Sequence, residues 1–411
     1  MEEWKSYKLG DISTIQTGPF GSQLHQSDYV ESGVPCIMPT NIGRMLDFQV
    51  AGIAHISEGD ALRLSRHIVH EGDIVYSRRG DIEKCAYVSQ EQDGWFCGTG
   101  CLKITINSNL AVPKFVAYYL STDEIKSWIV GNAVGTTMLN LNTSVLADVP
   151  LSLPSIQMQK RCVQILDSIE NKIALNNRIN HNLEEQAQAL YKSWFVDFEP
   201  FKGGDFVDSE LGLIPEGWRV GTLSELGDIV AGGTPSKTKP EYYTNNGIAW
   251  LTPKDLSAKC NKFTAGGETD ITEDGYRNSS AKLMPRGSVL FSSRAPIGYI
   301  SIAKGDICTN QGFKSVVPTY AGTAYLYYWL CENTEAIEAQ ASGSTFKEAS
   351  GSLMRSFPAL VPEKSVIDSF EKELSPILNE QEILEEEINH AEQIRDSLLP
   401  RLMSGELVMN C

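Results

Sequence analysis

Two stretches of the chain carry apolar residues at spacings that alternate between four and three. The first runs through Cys162, Leu166, Ile169, Ile173, Asn176, Asn180, Leu183, Ala187, Leu190 and Trp194. The second runs through Phe370, Leu374, Ile377, Gln381, Leu384, Ile388, Ala391, Arg395, Leu398 and Leu402, each 208 residues beyond its counterpart. That period is the seam of a coiled coil. From Cys162 to Trp194 it covers about 48 Å at about 1.5 Å per residue. Two helices of matched length and seam in one chain pack most simply on each other, antiparallel and related by a pseudo-two-fold axis. Asn176, Asn180, Gln381 and Arg395 interrupt the seam. Polar residues there either fix the register at some cost in stability or face solvent or a further partner. Pro376 is expected near a helix start or at a kink.

Ahead of each seam the pattern changes. Short blocks of β-branched and aromatic residues, such as Asp73-Ile-Val-Tyr-Ser77 and Ser288-Val-Leu-Phe-Ser292, are cut by Gly, Pro, Asn and Asp. Helical runs intervene around Lys114–Leu120 and Ala324–Leu330. The pattern predicts an α+β globule with a strongly curved sheet, present twice.

The repeat is visible in the residues themselves. Trp4 and Trp218 each open a run that closes on Leu-Gly-Asp-Ile, and Gly33–Ile42 lies against Gly247–Leu256, both at an offset of 214. Gly72–Arg79 matches Gly287–Arg294 at 215, and Tyr118–Leu120 matches Tyr328–Leu330 at 210. Gly135-Thr-Thr137 matches Gly343-Ser-Thr345, and Pro150 and Pro154 match Pro358 and Pro362, at 208. The slow drift is what insertions confined to loops would produce.

Length and composition fit a chain of two or more domains with ordinary cores. No apolar run is long enough for a membrane span, and Met1–Lys5 lacks the apolar stretch of a signal peptide, so a cytoplasmic chain is expected. The nine scattered cysteines then read as small core residues. A net charge of -17 argues at first against nucleic acid, but its distribution changes the picture. Residues 1–154 carry -6, 155–210 carry -3, 211–362 are neutral and 363–411 carry -8. The acidic run Glu380, Glu382 and Glu385-Glu-Glu387 reads either as a solvated helix face or as a docking surface for another protein.

Catalytic signatures are missing from the sequence. No Gly-Lys dipeptide marks a P-loop, no His-Glu-x-x-His a zinc protease, and no Asn/Asp-Pro-Pro-aromatic run an amino-methyltransferase. Cys97-Gly-Thr-Gly-Cys101 has no second cysteine pair to complete a zinc site. His67 and His70 read as a solvated pair, and Glu184-Glu185 as solvated charge rather than acid/base machinery. A duplicated binding protein fits better than an enzyme.

Leu226-Gly-Asp-Ile-Val-Ala-Gly-Gly-Thr-Pro-Ser-Lys237, continuing through Glu241-Tyr-Tyr243 to Ile248–Leu256, resembles the opening of a target recognition domain in the specificity subunits of type I restriction-modification enzymes. Gly135–Thr137 to Pro154 with Gln159-Lys-Arg161, and Trp194–Phe201 followed by Gly212–Trp218, extend the resemblance over nearly the whole chain. The first copy departs from it with Gly18-Pro-Phe-Gly-Ser22 in place of the Gly-Gly-Thr-Pro-Ser run, and the second helix lacks a Gln-Lys-Arg counterpart.

The resemblance implies target recognition domains at 1–154 and 218–362, a central spacer helix at 155–199, a linker at 200–217 and a C-terminal spacer helix at 363–411. Each domain would read one half of a split duplex DNA target. The helices would act as spacer, and their seam, about 14 base pairs long at roughly 3.4 Å each, is an upper guide to the centre-to-centre spacing of the half-sites. They would also dock two methyltransferase subunits, and two restriction subunits would complete the assembly. S-adenosylmethionine would sit on the methyltransferase, and ATP and Mg on the restriction subunit; this chain would hold no cofactor or metal and have no catalytic residue.

By the chemistry of base and phosphate contacts, the candidate DNA-binding residues are Ser22, Gln23, Thr40, Asn41, Arg78, Arg79 and Lys103 in the first domain. In the second they are Ser236, Lys237, Lys254, Ser293, Arg294, Gln311 and Lys314. Each has a second reading as a plain surface or structural polar group. Two other functions compete: a two-headed coiled-coil adaptor that binds protein and not DNA, and a subunit with methyltransferase activity of its own.

Overall fold

The computed structural model describes residues 4–133, 139–258, 261–343 and 347–407. Thr137 and Thr345, which close the matched Gly-x-Thr runs, lie outside the described residues. The chain divides into two compact units, Met1–Ile173 with His390–Cys411, and Ala174–Asn389. Each unit therefore holds one globule and one part of each long helix.

In the first unit, strands β1 (Lys5–Lys8), β2 (Ser13–Thr17), β3 (Val34–Ile37), β4 (Ile74–Ser77), β5 (Cys85–Tyr87), β6 (Phe96–Cys97), β7 (Cys101–Ile106) and β8 (Pro150–Leu153) carry the frame, with helix α1 (Pro113–Leu120). In the second, β9 (Arg219–Thr222), β10 (Gly227–Ala231), β11 (Trp250–Leu251), β12 (Val289–Ser293), β13 (Ile297–Ala303), β14 (Cys308–Thr309), β15 (Lys314–Pro318) and β16 (Pro358–Val361) take the same places. The main sheets run β2-β7-β4-β5 and β10-β15-β12-β13, the latter extended by Phe263–Thr264. The register repeats as well. Thr17 lies opposite Leu102 and Ala231 opposite Lys314. Lys5 lies opposite Leu153 and Arg219 opposite Val361. β3 and β6 pair in parallel, as do β11 and β14.

The single curved sheet expected from the sequence is divided. Among the described residues the first globule holds two four-stranded sheets and one two-stranded sheet. The stretch expected as a linker holds an antiparallel hairpin, Phe206–Ser209 with Gly212–Pro215.

The long helices are α2 (Ile156–Phe195) and α4 (Lys364–Ser404); a shorter helix, α3 (Thr323–Gln340), lies between them in the second globule. None of the twenty seam positions is exposed. In the second unit the pairing is antiparallel. Phe195 stacks edge-on against Phe370 at 4.8 Å, Gln381 donates to Glu184 at 3.0 Å, and Asn176 donates to Glu387 at 2.9 Å. In the first unit Cys162 and Leu166 share a core with Leu399, Leu402 and Met403, and Arg395 pairs with Glu170 at 3.2 Å. Three of the four polar seam residues thus have partners across the helix pair and fix register. Pro376 does not fall at a helix start, because α4 runs through it. Its missing N–H removes one bond of the ladder.

The acidic run also differs from expectation, because most of it holds the second globule onto the helices. Glu385 accepts from the backbone N–H of Lys262 at 2.9 Å and of Phe263 at 3.1 Å. Glu382 pairs with Arg286 at 2.5 Å, and Glu386 pairs with Lys304. Glu184 is likewise not solvated charge. The Lys262 ammonium, 7% exposed, donates to Glu184 at 2.6 Å, to Gln381 at 2.9 Å and to the Tyr328 hydroxyl at 2.5 Å. Burial pulls the Lys262 ammonium below its ordinary value against the attraction of Glu184. Burial pushes Glu184 up, but Lys262 outweighs it and the carboxyl lies below its ordinary value.

Candidate nucleic-acid interface

Arg79 and Arg294 each follow the strand at the centre of their globule, and the backbone around them repeats bond by bond. Arg78 N donates to Gly100 O at 2.8 Å, and Ser293 N to Gly312 O at 2.7 Å. Leu141 N donates to Arg78 O at 3.0 Å, and Ala349 N to Ser293 O at 2.9 Å. Gly98 N donates to Ile37 O and Asn310 N to Leu251 O, both at 2.9 Å. The loop after β2 passes so close that a Cβ on Gly18 would lie 2.1 Å from Gly98 O; on Gly232 it would lie 1.9 Å from Asn310 O. Gly18 and Gly232 therefore do one job in two different loop sequences. Each arginine is followed by a residue in the left-handed region, Gly80 at φ +77° and Ala295 at φ +56°.

In the second globule this frame walls an open cleft of about 690 Å³. Lys237, Lys254, Arg294 and Gln311, far apart in sequence, all line it, with Thr234, Tyr243, Trp250 and Asn310. Trp250 Nε1 donates to Gly233 O at 3.0 Å and Tyr243 Oη to Pro235 O at 2.7 Å, which pins the Gly232–Lys239 loop over one side. Thr234 donates to the Gln311 side-chain oxygen, and Lys254 faces Glu268 at 3.7 Å. Ser236 is exposed on the same loop, bonded to Thr238 at 2.8 Å. Ser293 and Lys314 lie beneath the cleft. Ser293 is fully buried and donates to Gly312 O at 3.1 Å. Lys314 reaches Glu348 at 3.2 Å, and Arg294 reaches the other oxygen of the same carboxylate at 3.6 Å. A cleft with a fork of guanidinium donors, two amides, two ammonium groups and two aromatic rings, beside the carboxylates of Asp255 and Glu268, can bind a polyanion and read flat, hydrogen-bonding edges.

In the first globule Ser22, Thr40 and Arg79 are exposed. Arg78 lies over the Phe20 ring at 5.8 Å, and Phe20 is itself 55% exposed. Gln23 is committed in part: its backbone oxygen accepts from Arg63 at 3.1 Å and its side-chain oxygen from Arg66 at 3.3 Å. Asn41 is buried. Its Oδ1 accepts from Met38 N at 2.9 Å and its Nδ2 donates to Gln49 O, the role that Asp255 fills at Thr252 N in the second globule. Lys103 donates to the carbonyls of Arg66 at 3.0 Å and Ile68 at 2.9 Å. His67 is not solvated. It is 2% exposed and accepts at Nε2 from Arg66 Nε at 3.0 Å, which leaves the ring neutral with its proton on Nδ1. Burial, with Arg66 and Lys103 nearby, lowers its pKa to about 4. His70 is exposed, beside Asp93.

A family model described as the type I restriction modification DNA specificity domain matches residues 1–185 and 215–393, one match on each copy of the repeat. The chain belongs to that family. It is 25% identical to the type I restriction enzyme HindI specificity subunit of Haemophilus influenzae, over 99% of this chain and all of that one. It is 36% identical to the MjaIX specificity subunit of Methanocaldococcus jannaschii over 44% of each chain. Among solved structures, the S subunit of a type I restriction-modification system from M. genitalium aligns over 100% of this chain and 97% of its own, with a TM-score of 0.65 at 14% identity, so the two share a fold.

As a type I specificity subunit the chain is the non-catalytic, sequence-selecting member of its system. Among the described residues no helix is long and apolar enough to cross a membrane. Three site features of this specificity subunit escape a reading of the sequence. Glu348, which holds both Arg294 and Lys314, sits beyond the Gly-Ser-Thr run and carries no motif. Asn140, its counterpart at an offset of 208, looks like any loop asparagine. Phe20 signals itself only as an aromatic between Pro and Gly.

Proposed function

We propose that the chain reads a bipartite duplex DNA target, one half-site per domain, with domain and helix boundaries as the sequence predicts. Support comes chiefly from one observation: the same backbone frame presents Arg79 in one domain and Arg294 in the other, among side chains that differ. A repeated frame with changed contacts is what two unlike half-sites require. The exposed or cleft-lining candidates Ser22, Thr40, Arg79, Ser236, Lys237, Lys254, Arg294 and Gln311, with the half-buried Arg78 against Phe20, make the contacts. Gln23, Asn41, Lys103, Ser293 and Lys314 hold the loops that carry them. The long helices dock two methyltransferase subunits bearing S-adenosylmethionine, and two restriction subunits bearing ATP and Mg join that core in the cytoplasm. Because residues 1–154 carry a charge of -6, the partner supplies most of the nonspecific affinity for DNA.

A titration of duplex DNA with the assembled chain and methyltransferase tests this. Binding should weaken steeply with salt, and Arg79→Glu should abolish selection of one half-site while the other survives. Salt-independent or absent DNA binding by a well-formed assembly would favour the protein adaptor. Unchanged selection in Arg79→Glu would remove Arg79 from the interface.

A further inference from the structure

The two domains repeat the frame around their arginines but change the side chain that meets it. In the second domain, Glu348 Oε1 lies 3.2 Å from Lys314 Nζ and Oε2 lies 3.6 Å from Arg294 Nη1. The Lys314 side chain is 11% exposed and that of Arg294 37%, so the lysine is a fixed support and the arginine faces the cleft. In the first domain the place of Glu348 is taken by Asn140, which bridges to Arg79 through the backbone and brings no charge. Its Oδ1 is buried without a hydrogen-bond partner among the described residues. The left-handed residue after each arginine is kept even where it is alanine, so the backbone turns in the same sense beyond both.

We propose that Glu348 is a positioning residue that sets Arg294 to read a guanine in the second half-site, and that Asn140 leaves Arg79 without that setting in the first. This rests on the DNA-reading proposal above. A guanidinium has five donors in a planar fork. Glu348 draws Nη1 alone, by an ion-pair contact at 3.6 Å, and leaves Nε and Nη2 on the other edge for two parallel bonds. Guanine offers two acceptors, N7 and O6, in the major groove; adenine in the same place turns a donor, N6, toward the fork. Glu348 also engages Lys314, which keeps the ammonium beneath the cleft from drawing a phosphate into the space of the base.

The test is the rate of methyl transfer by the full-length chain assembled with its methyltransferase, on duplexes carrying each single base-pair change in the second half-site. Wild type should prefer a G·C pair at one position by roughly tenfold to a hundredfold. Glu348→Gln should lose most of that preference there while leaving the first half-site unchanged, and Arg294→Lys should lose it at the same position. Should Glu348→Gln fail to fold, Glu348→Asp carries the test: it should keep guanine with a smaller margin, and an unchanged margin would overturn the proposal. Wild-type discrimination in Glu348→Gln, or loss at an A·T pair, would also overturn it. Wild-type protein that discriminates at no position would instead refute the DNA reading itself.

Discussion

Ala295 holds a backbone conformation that residues with a Cβ resist, at φ +56°, immediately after Arg294. Its counterpart Gly80 holds the same conformation at φ +77° without that resistance. Left-handed geometry costs an L-residue about 1 kcal/mol or somewhat more. Ala295→Gly should therefore stabilise the chain by about 1 kcal/mol in a denaturant titration while leaving DNA selection intact; destabilisation would mean that the methyl group makes a contact worth more than the strain. His67 makes a second prediction. Its pKa falls from 6.5 to about 4 on folding, chiefly through burial. The folded state then binds fewer protons than the unfolded state between those values, so stability is complete above about pH 6.5 and declines as pH falls toward 4. The loss should reach about 3 kcal/mol. Unfolding free energy followed from pH 7 to 4 should show this slope in the wild type and a shallower one in His67→Gln; equal slopes would refute it.

At the scale of elements, Lys262 ties the second globule to both long helices. Removing it takes the cation from Glu184, which keeps the neutral donors Gln381, Tyr328 and Gln188, and breaking a largely buried pair from one side costs about 3 kcal/mol or more. Lys262→Met should destabilise by that order, and adding Glu184→Leu should recover part of it; a loss below about 1 kcal/mol would show that solvent takes over the contacts. This network also marks where the sequence stops being legible. The seam could be read because a heptad is a local pattern, and each seam position between Cys162 and Trp194 and between Phe370 and Leu402 avoids exposure. The partners of Glu382, Glu385 and Glu386 are Arg286, Lys262 and Lys304, each many residues away. With no local signal to reveal them, an acidic helix reads as solvated. Glu348 is hidden for the same reason, because the backbone contact of Ala349 with Ser293 is what brings its carboxylate beside the sequence-distant Arg294. The equivalence of Arg79 and Arg294 could be read, because strand and turn repeat together.

For the whole molecule, charge and repeat give a consistent account. Glu382 and Glu386 of the acidic residues 363–411 pair with Arg286 and Lys304 of a second domain whose own charge is zero, so part of the net -17 serves to hold that domain on its helices. What the chain repeats is a frame; what it changes is the chemistry placed on that frame. The most direct measurement is a map of methylated adenines in DNA from cells expressing this chain with its methyltransferase. One bipartite motif with two unlike halves and a fixed gap is expected, whose halves are lost separately in Arg79→Glu and Arg294→Glu. A single undivided motif, or both halves lost together in either variant while the assembly stays intact, would contradict this expectation.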